Sequence, residues 1–330
     1  MNKAIALTVG HADGRSVSWR TVYFVLSSCL LAIAFHSPLV TLISLALGAS
    51  HDANQYSQIV VIPLVCLYLI LRKRKAIFAD TKSSVLSGIA VMLIGFLFFL
   101  AANLAHGKLS QHDYLCGLMA SLVVLEIGNF VLFFGTRAFR LARFPLLVLA
   151  LMIPFPSWVL ERTVRFLQEG SAVVTASLLN LTGMPFVRDG LVFHLPRNVN
   201  IFIAEDCSGI RSSIALLIAS LVASDIFLHK GWTKLALNLA VLPLSLFKNG
   251  LRIATLSLLS VYVDKQFLSG DLHRDGGILF YLIACAILGL LLWRLRKSET
   301  ASALVHQPRG KDHRPTRLDH AEASFKNQTT

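Results

Sequence analysis

The feature that most limits how this chain can fold is a series of apolar stretches, most near the length a bilayer requires, separated by short polar segments. A helix needs about 20 predominantly apolar residues to cross a hydrocarbon core. Eight stretches reach or approach that length: residues 22–47, 56–71, 85–104, 114–134, 144–153 with its flanks, 213–228, 232–263 and 277–293. The chain is 55% hydrophobic and 15% charged, with a mean hydropathy of +0.65, a balance that a water-soluble domain of this length does not tolerate. The expected fold class is therefore an all-α polytopic membrane protein with about eight transmembrane helices. No signal peptide is expected, because the first twenty residues are mixed and polar and no small-residue cleavage site follows the first apolar run. Within that run, Pro38 is expected to end the spanning part and leave residues 39–47 at the membrane surface.

The formal charge of +13 does not point to nucleic acid, because the basic residues sit in short clusters beside apolar runs, as topology signals do. These clusters are the N-terminus, Arg72 to Lys75, Arg137/Arg140/Arg143, Lys230/Lys234 and the tail from Arg294. Placing them inside puts most of the 31 basic residues there and leaves the outer segments nearly balanced. The expectation is a cytoplasmic N-terminus (1–20), a membrane-embedded domain (21–297) and a disordered cytoplasmic tail (298–330). Membrane lipid, not nucleic acid, is the surrounding partner.

The longest external segment, 154–207, has a pattern of its own. From Ser157 to Thr182, apolar clusters alternate with Glu161, Arg162, Arg165 and Glu169 and stop at Gly183, which predicts a short amphipathic helix lying on the membrane. A small β unit follows before the sixth helix, with strands over 191–195 and 199–203 and turns at Asp189-Gly190 and Pro196-Arg197-Asn198.

Cys29, Cys66, Cys116 and Cys285 lie inside apolar runs, whereas Cys207 alone lies in a polar one, Glu205-Asp206-Cys207-Ser208-Gly209-Ile210-Arg211-Ser212. Asp206 reads as an N-cap and Cys207 as a residue of the first turn of the sixth helix, where the helix end lowers a thiol pKa. Arg211, four residues on, would share that face. The seventh apolar run carries Lys248, Asn249 and Arg252, with both cations at helical i and i+4. Near the bilayer centre each would cost about 2.5–3.5 kcal/mol, so a chance pair is disfavoured; the bland reading of Lys248 is snorkelling to the interface. His273 precedes the eighth run, and the topology brings Cys207, Arg252 and His273 to the outer ends of three successive helices. His51, His106, His112 and His194 lack zinc spacing, no metal or nucleotide motif appears, and no cofactor is expected. Asp225 and Glu126 read as buried pairing groups.

These residues resemble the exosortase/archaeosortase family of polytopic membrane cysteine peptidases. Its signature is Cys-Ser-Gly-x-Arg-Ser, then Asn-x-x-Arg, then a His followed three or four residues later by Gly. The matches are Cys207 to Ser212, Asn249-Gly250-Leu251-Arg252, and His273 with Gly276 and Gly277. Weaker likeness runs through Tyr56-Ser57, Pro154-Phe155-Pro156, Leu167-Gln168 and Arg188-Asp189-Gly190, covering about residues 50–293. Where the family often has His-Gly after Tyr-Ser, this chain has Gln58-Ile59, so no role for that histidine carries over. His at the third position resembles the bacterial exosortases more than the archaeal relatives, which commonly have Arg there.

The resemblance implies a protease-transpeptidase of exported proteins that carry a C-terminal sorting signal: a Pro-Glu-Pro-like motif, a transmembrane helix and a basic end. It also implies association with exopolysaccharide systems and placement in a Gram-negative inner membrane. Cys207 would be the nucleophile, His273 the acid and base, and Arg252 the stabiliser of developing negative charge. Arg211, Ser208, Asn249 and Lys248 would support the site or bind substrate. The competing readings are a transporter whose pathway is lined by Lys248, Arg252, Asp225 and Glu126, and a noncatalytic assembly factor for surface polysaccharide.

Overall fold

The computed structural model describes residues 19–47, 56, 59–79, 82–264, 266 and 277–305, with backbone alone at 206, 207 and 302–305. Helix α1 (Trp19–Ala34) bends by 74° into α2 (His36–Leu47). The break falls at Phe35, ahead of Pro38, which sits in the first turn of α2, where its missing N–H costs nothing. Pro38 also has no N–H to bond Ala34 O and its ring crowds that carbonyl, so the proline ends α1 as expected and at the same time sits in the first turn of α2. Then come α3 (Val61–Arg72), a single turn α4 (Arg74–Ile77), α5 (Val85–Leu104) and α6 (Gln111–Leu149).

Ser110 caps α6, its Oγ accepting from Asp113 N at 3.1 Å. That helix doubles back on itself. Continued straight, residues 116 and 154 would stand about 57 Å apart at about 1.5 Å per residue. Instead, Cys116 Sγ donates to Pro154 O at 3.1 Å and His112 Nε2 lies 2.7 Å from Phe155 O. The reversal is at Gly135 (φ 83°), where a Cβ would lie 1.9 Å from Lys82 O. Only glycine meets both conditions. The first leg packs on α5 through small residues: a Cβ on Gly88, Gly95 or Gly128 would fall within 3 Å of Leu132, Leu125 or Met92 respectively.

Five helices are long and apolar enough to span a bilayer, and six if α1 and α2 count as one bent span. Among the described residues this criterion does not reach eight: the 56–71 run yields a helix of 12 residues, and the 144–153 run is part of the returning leg of α6. The outward faces of these helices, such as Leu86, Leu93, Phe96 and Leu97 of α5, are exposed in the isolated chain, as lipid-facing residues should be.

The basic clusters converge on one end of the bundle. Asp225, its side chain nearly fully buried, bridges Lys73 at 2.7 Å and Lys234 at 3.3 Å. Glu299 accepts from His229 N (3.0 Å), Lys230 N (2.9 Å) and Thr233 Oγ1, capping the start of α9 (Gly231–Tyr262). That cap holds the last helix, α10 (Gly277–Val305), in helical form past Lys297, where a disordered tail was expected to begin. The Arg137/Arg140/Arg143 cluster follows the Gly135 reversal at the same end, beside Lys82.

At the other end a cap grows out of the helices. Helix α7 (Ser157–Leu181) was expected to lie on the membrane; instead it runs alongside α9, burying Val164, Leu167, Gln168, Ser171, Ala172, Thr175 and Leu179. Gly250 explains the fit: a Cβ there would lie 2.5 Å from Val174 Cγ1 and 3.2 Å from Ser171 O. Three antiparallel strands follow, β1 (Val187–Asp189), β2 (Val192–Leu195) and β3 (Val199–Phe202), in the order β1-β2-β3. Phe193, Leu195, Val199 and Ile203 pack on Leu179 of α7 and on Ile253, Ala254 and Val261 of α9. Helix α8 (Ile210–Phe227) then returns to the basic end.

Gly135→Ala is expected to lower the thermal midpoint of detergent-solubilised protein, since it adds left-handed strain of roughly 1–2 kcal/mol to a backbone clash. Gly289→Ala, in mid-helix with nothing within 4 Å of the new Cβ, is the comparison and should hold or raise the midpoint, gaining up to about 1 kcal/mol of helix propensity. Equal midpoints for the two would mean that the chain does not reverse at Gly135.

Candidate active site at the α7, α8 and α9 junction

The cysteine motif is shaped by a change of helix. Cys207 lies in a 3₁₀ turn, Glu205–Ser208, capped by Ala204 in extended conformation. Gly209 then adopts φ 73°, and α8 starts at Ile210. This corrects the expected geometry: Asp206 does not cap α8, Cys207 is not in its first turn, and the i, i+4 relation to Arg211 does not put the two on one α-helical face. Arg211 is exposed. What remains of the electrostatic argument is proximity, because the free N–H groups of the α8 terminus begin just after the cysteine turn.

Tethers fix that turn on both sides. Before it, the buried Gln168 of α7 donates from Nε2 to Ile203 O at 2.8 Å. After it, Gly209 O accepts from Ser213 N (2.9 Å), Ser213 Oγ (2.8 Å) and Ser212 Oγ (3.0 Å). Ser208 is 1% exposed, and its Oγ lies 3.4 Å from Ile210 N.

Gly209 rests on the second motif. A Cβ on it would lie 3.1 Å from the Asn249 side-chain carbonyl and 3.5 Å from Lys248 Nζ. Asn249, 2% exposed, donates from Nδ2 to Ser171 Oγ at 3.0 Å and so ties α9 to α7 under the turn. Lys248, 5% exposed, donates to Ser212 Oγ, so its ammonium does not snorkel to a surface. Arg252, one turn further, is half-buried and has its guanidinium carbon 3.9 Å from the place a Gly277 Cβ would take. Gly277 is the first residue of α10 and closes the third motif. His273 lies outside the described residues.

Gly209, Lys248, Asn249, Arg252 and Gly277 therefore meet at one place, drawn from all three motifs. Ser171, Gln168 and Ser212 belong to it as well; Gln168 and Ser212 entered the sequence reading only as part of the resemblance, with no role given, and Ser171 not at all. Their signal was present but weak: Ser171 and Gln168 are polar residues on the apolar stripe of α7, and Ser212 ends the cysteine motif. Asp225 and Glu126 do not join them. Asp225 belongs to the basic end, and Glu126 accepts from Ser28 Oγ at 2.9 Å between α1 and α6, beside Asn129. The four charged groups of a supposed transport pathway thus fall into three separate clusters.

The fold is that of a multi-pass membrane protein with a polar site against one end of its helices. A family model described as transmembrane exosortase matches residues 50–290, and the chain belongs to that family. Its members are membrane enzymes of the cysteine-peptidase type. No curated protein and no solved structure matches the chain.

Two positive-φ glycines separate backbone strain from contact. Gly183→Ala meets nothing within 4 Å and is expected to cost about 1 kcal/mol. Gly209→Ala adds the crowding against Asn249 and should lower the thermal midpoint further. Equal shifts in unfolding experiments would mean that the turn does not rest on Asn249.

Proposed function

We propose that this protein is a membrane cysteine protease-transpeptidase that cleaves C-terminal sorting signals of exported proteins. The observation that carries the reading is the meeting of the family's three motifs: Gly209 against Asn249, and Arg252 beside Gly277. Apolar packing brings α8, α9 and α10 together, but it gives no reason for a left-handed glycine turn, a carboxamide and two cations to stand at their junction. A nucleophile turn needs such a floor.

In the proposed reaction, the Cys207 thiolate attacks the scissile carbonyl, and the tetrahedral oxyanion collapses to a thioester as the C–N bond breaks. His273 gives its proton to the leaving amine, then takes one from the incoming nucleophile. Arg252 faces the negative charge that develops on sulfur or on the carbonyl oxygen, where a preorganised cation acts without reorganising. An amine acceptor completes transpeptidation and water completes hydrolysis. Arg211, Ser208, Asn249 and Lys248 support the site or bind substrate.

The same reading orients the molecule in a bacterial inner membrane, with both termini cytoplasmic, the basic end inside and the site facing the periplasm. Its support is the convergence of basic clusters on the Asp225 end, which the positive-inside rule assigns to the cytoplasm. Eight crossings follow if the bent α1–α2 pair, α3 and each leg of α6 count once. Substrates have a Pro-Glu-Pro-like motif ahead of a transmembrane helix and a basic end.

An exported reporter with such a C-terminal signal is expected to be shortened when coexpressed with wild type and not with equally abundant Cys207→Ala. Arg252→Gln and His273→Ala should lower cleavage by roughly 10²–10⁴-fold, the usual range for a positioned proton-transfer or charge-stabilising group. Immunoblotting of reporter length reads all of these variants. Cleavage by Cys207→Ala equal to wild type would sink the proposal.

A further inference from the structure

A lysine in the middle of a buried helix face calls for a reason. Lys248 sits where α7, α8 and α9 meet, is 5% exposed and directs its ammonium at Ser212 Oγ. The Ser212 hydroxyl has one proton and accepts on its lone pairs. With Lys248 donating to the oxygen, the hydroxyl proton is left to point at Gly209 O, 3.0 Å away. The result is a relay of donors from Lys248 through Ser212 to Gly209, and hydrogen bonds in such a chain polarise one another. Its end point is the carbonyl of the left-handed residue between the cysteine turn and α8.

We propose that Lys248 is a positioning residue: acting through Ser212, it locks the Gly209 turn and so fixes where the chain carries Cys207. This rests on Cys207 being the nucleophile. The clamp has a geometric logic. Gly209, with φ 73° and no Cβ, is the most pliable point between Cys207 and α8. A turn free to relax there would move the preceding residues, and displacements of about 1 Å near a reacting centre cost on the order of a hundredfold in rate. Asn249 blocks movement toward α9 from below, at 3.1 Å, while the Lys248–Ser212 relay holds the carbonyl together with Ser213 N and Oγ and is the part of that hold that reaches across to α9. A lysine suits the task because its ammonium is a compact donor on a long stem that reaches across from α9.

The test uses full-length protein in nanodiscs, with Lys248→Met, Lys248→Arg, Ser212→Ala and the Lys248→Met/Ser212→Ala double variant. Steady-state cleavage of a purified reporter and hydrogen exchange of the peptide spanning residues 205–214 are measured together. In Lys248→Met, kcat should fall roughly tenfold or more with KM nearly unchanged, since substrate contacts are not removed. Ser212→Ala should behave alike, and the double variant should be no worse than the weaker single one, as expected for two members of one relay. Lys248→Arg should recover part of the loss. Exchange across 205–214 should quicken in both single variants while α9 peptides keep their protection.

Wild-type kcat and exchange in Lys248→Met would overturn the proposal. So would losses that multiply in the double variant, or faster exchange with kcat unchanged. Should Lys248→Met not fold, Ser212→Ala, which removes one hydroxyl, decides by the same two readouts. If wild type itself cleaves no reporter, the protease reading fails, while the exchange data still report whether the clamp exists.

Discussion

The close approach of α7 and α9 at Gly250 is the contact on which the site depends. Val174 and the Ser171 carbonyl occupy the space a side chain would take, and that proximity lets Ser171 reach Asn249 and Thr175 Oγ1 reach Gly250 O at 3.3 Å. Small residues at helix crossings are the usual means of close packing where apolar lipid supplies no hydrophobic drive. Here they have a second consequence. By bringing α7 against α9, they set the buried Gln168 under Ile203, and with it the exit of β3 toward Cys207. One glycine contact thereby fixes both the floor of the cysteine turn and its approach.

The length of α9 explains where the site lies. At about 1.5 Å per residue its 32 residues extend about 48 Å, against a hydrocarbon core of about 30 Å. Counting from the basic end, where Lys234 pairs with Asp225, Lys248 and Arg252 lie 14 and 18 residues on, about 21 and 27 Å along the helix. On that count Arg252 comes near the far edge of the hydrocarbon, where burial of a cation costs less than the roughly 2.5–3.5 kcal/mol expected at the centre, and Lys248 lies one turn deeper. The remaining turns of α9 rise beyond that level and carry Ile253, Ala254 and Val261 into the core of the cap. A single helix thus serves as membrane span, site floor and cap support, which keeps the polar site and its cover in fixed relation.

Much of this was legible in the sequence, for reasons that differ from part to part. Apolar length marks spanning helices because the bilayer admits few alternatives, so α5, α8, α9 and α10 fall close to their expected positions. Lys248, Asn249 and Arg252 stood out because their chemistry is unusual in an apolar run, whereas Gly209 was visible only as part of the motif that carries the resemblance. Geometry that depends on one backbone angle was not. The pattern around Cys207 reads equally well as the first turn of a helix, and only the structure reveals that Gly209 is left-handed and that Asn249 fills the space beside it. Likewise, Gly135 in an apolar run gives no sign that it sits against Lys82 O. The amphipathic stripe of α7 was visible, but a stripe cannot say whether lipid or another helix covers it; the cover is α9.

Separating the cysteine turn from α8 has a chemical consequence of its own. Had Cys207 continued into α8, its backbone carbonyl would serve as an intrahelical acceptor and its amide would be one more member of the helix terminus. Placed in a 3₁₀ turn before a left-handed glycine, it leaves the α8 amide end as a distinct element that starts behind the turn. In that arrangement the positive helix end and Lys248 belong to the scaffold beneath the turn, Arg252 stands one helical turn further along α9 beside Gly277, and none is carried by the turn itself. In the proposed reaction, positive charge held by the scaffold would keep its position during attack on the carbonyl, which is the condition under which fixed charge is most effective in stabilising a developing anion. The tethers from Gln168 and Ser212 then have a common purpose: they hold to a charged floor a turn that no longer has the hydrogen bonds of a continuous helix to hold it.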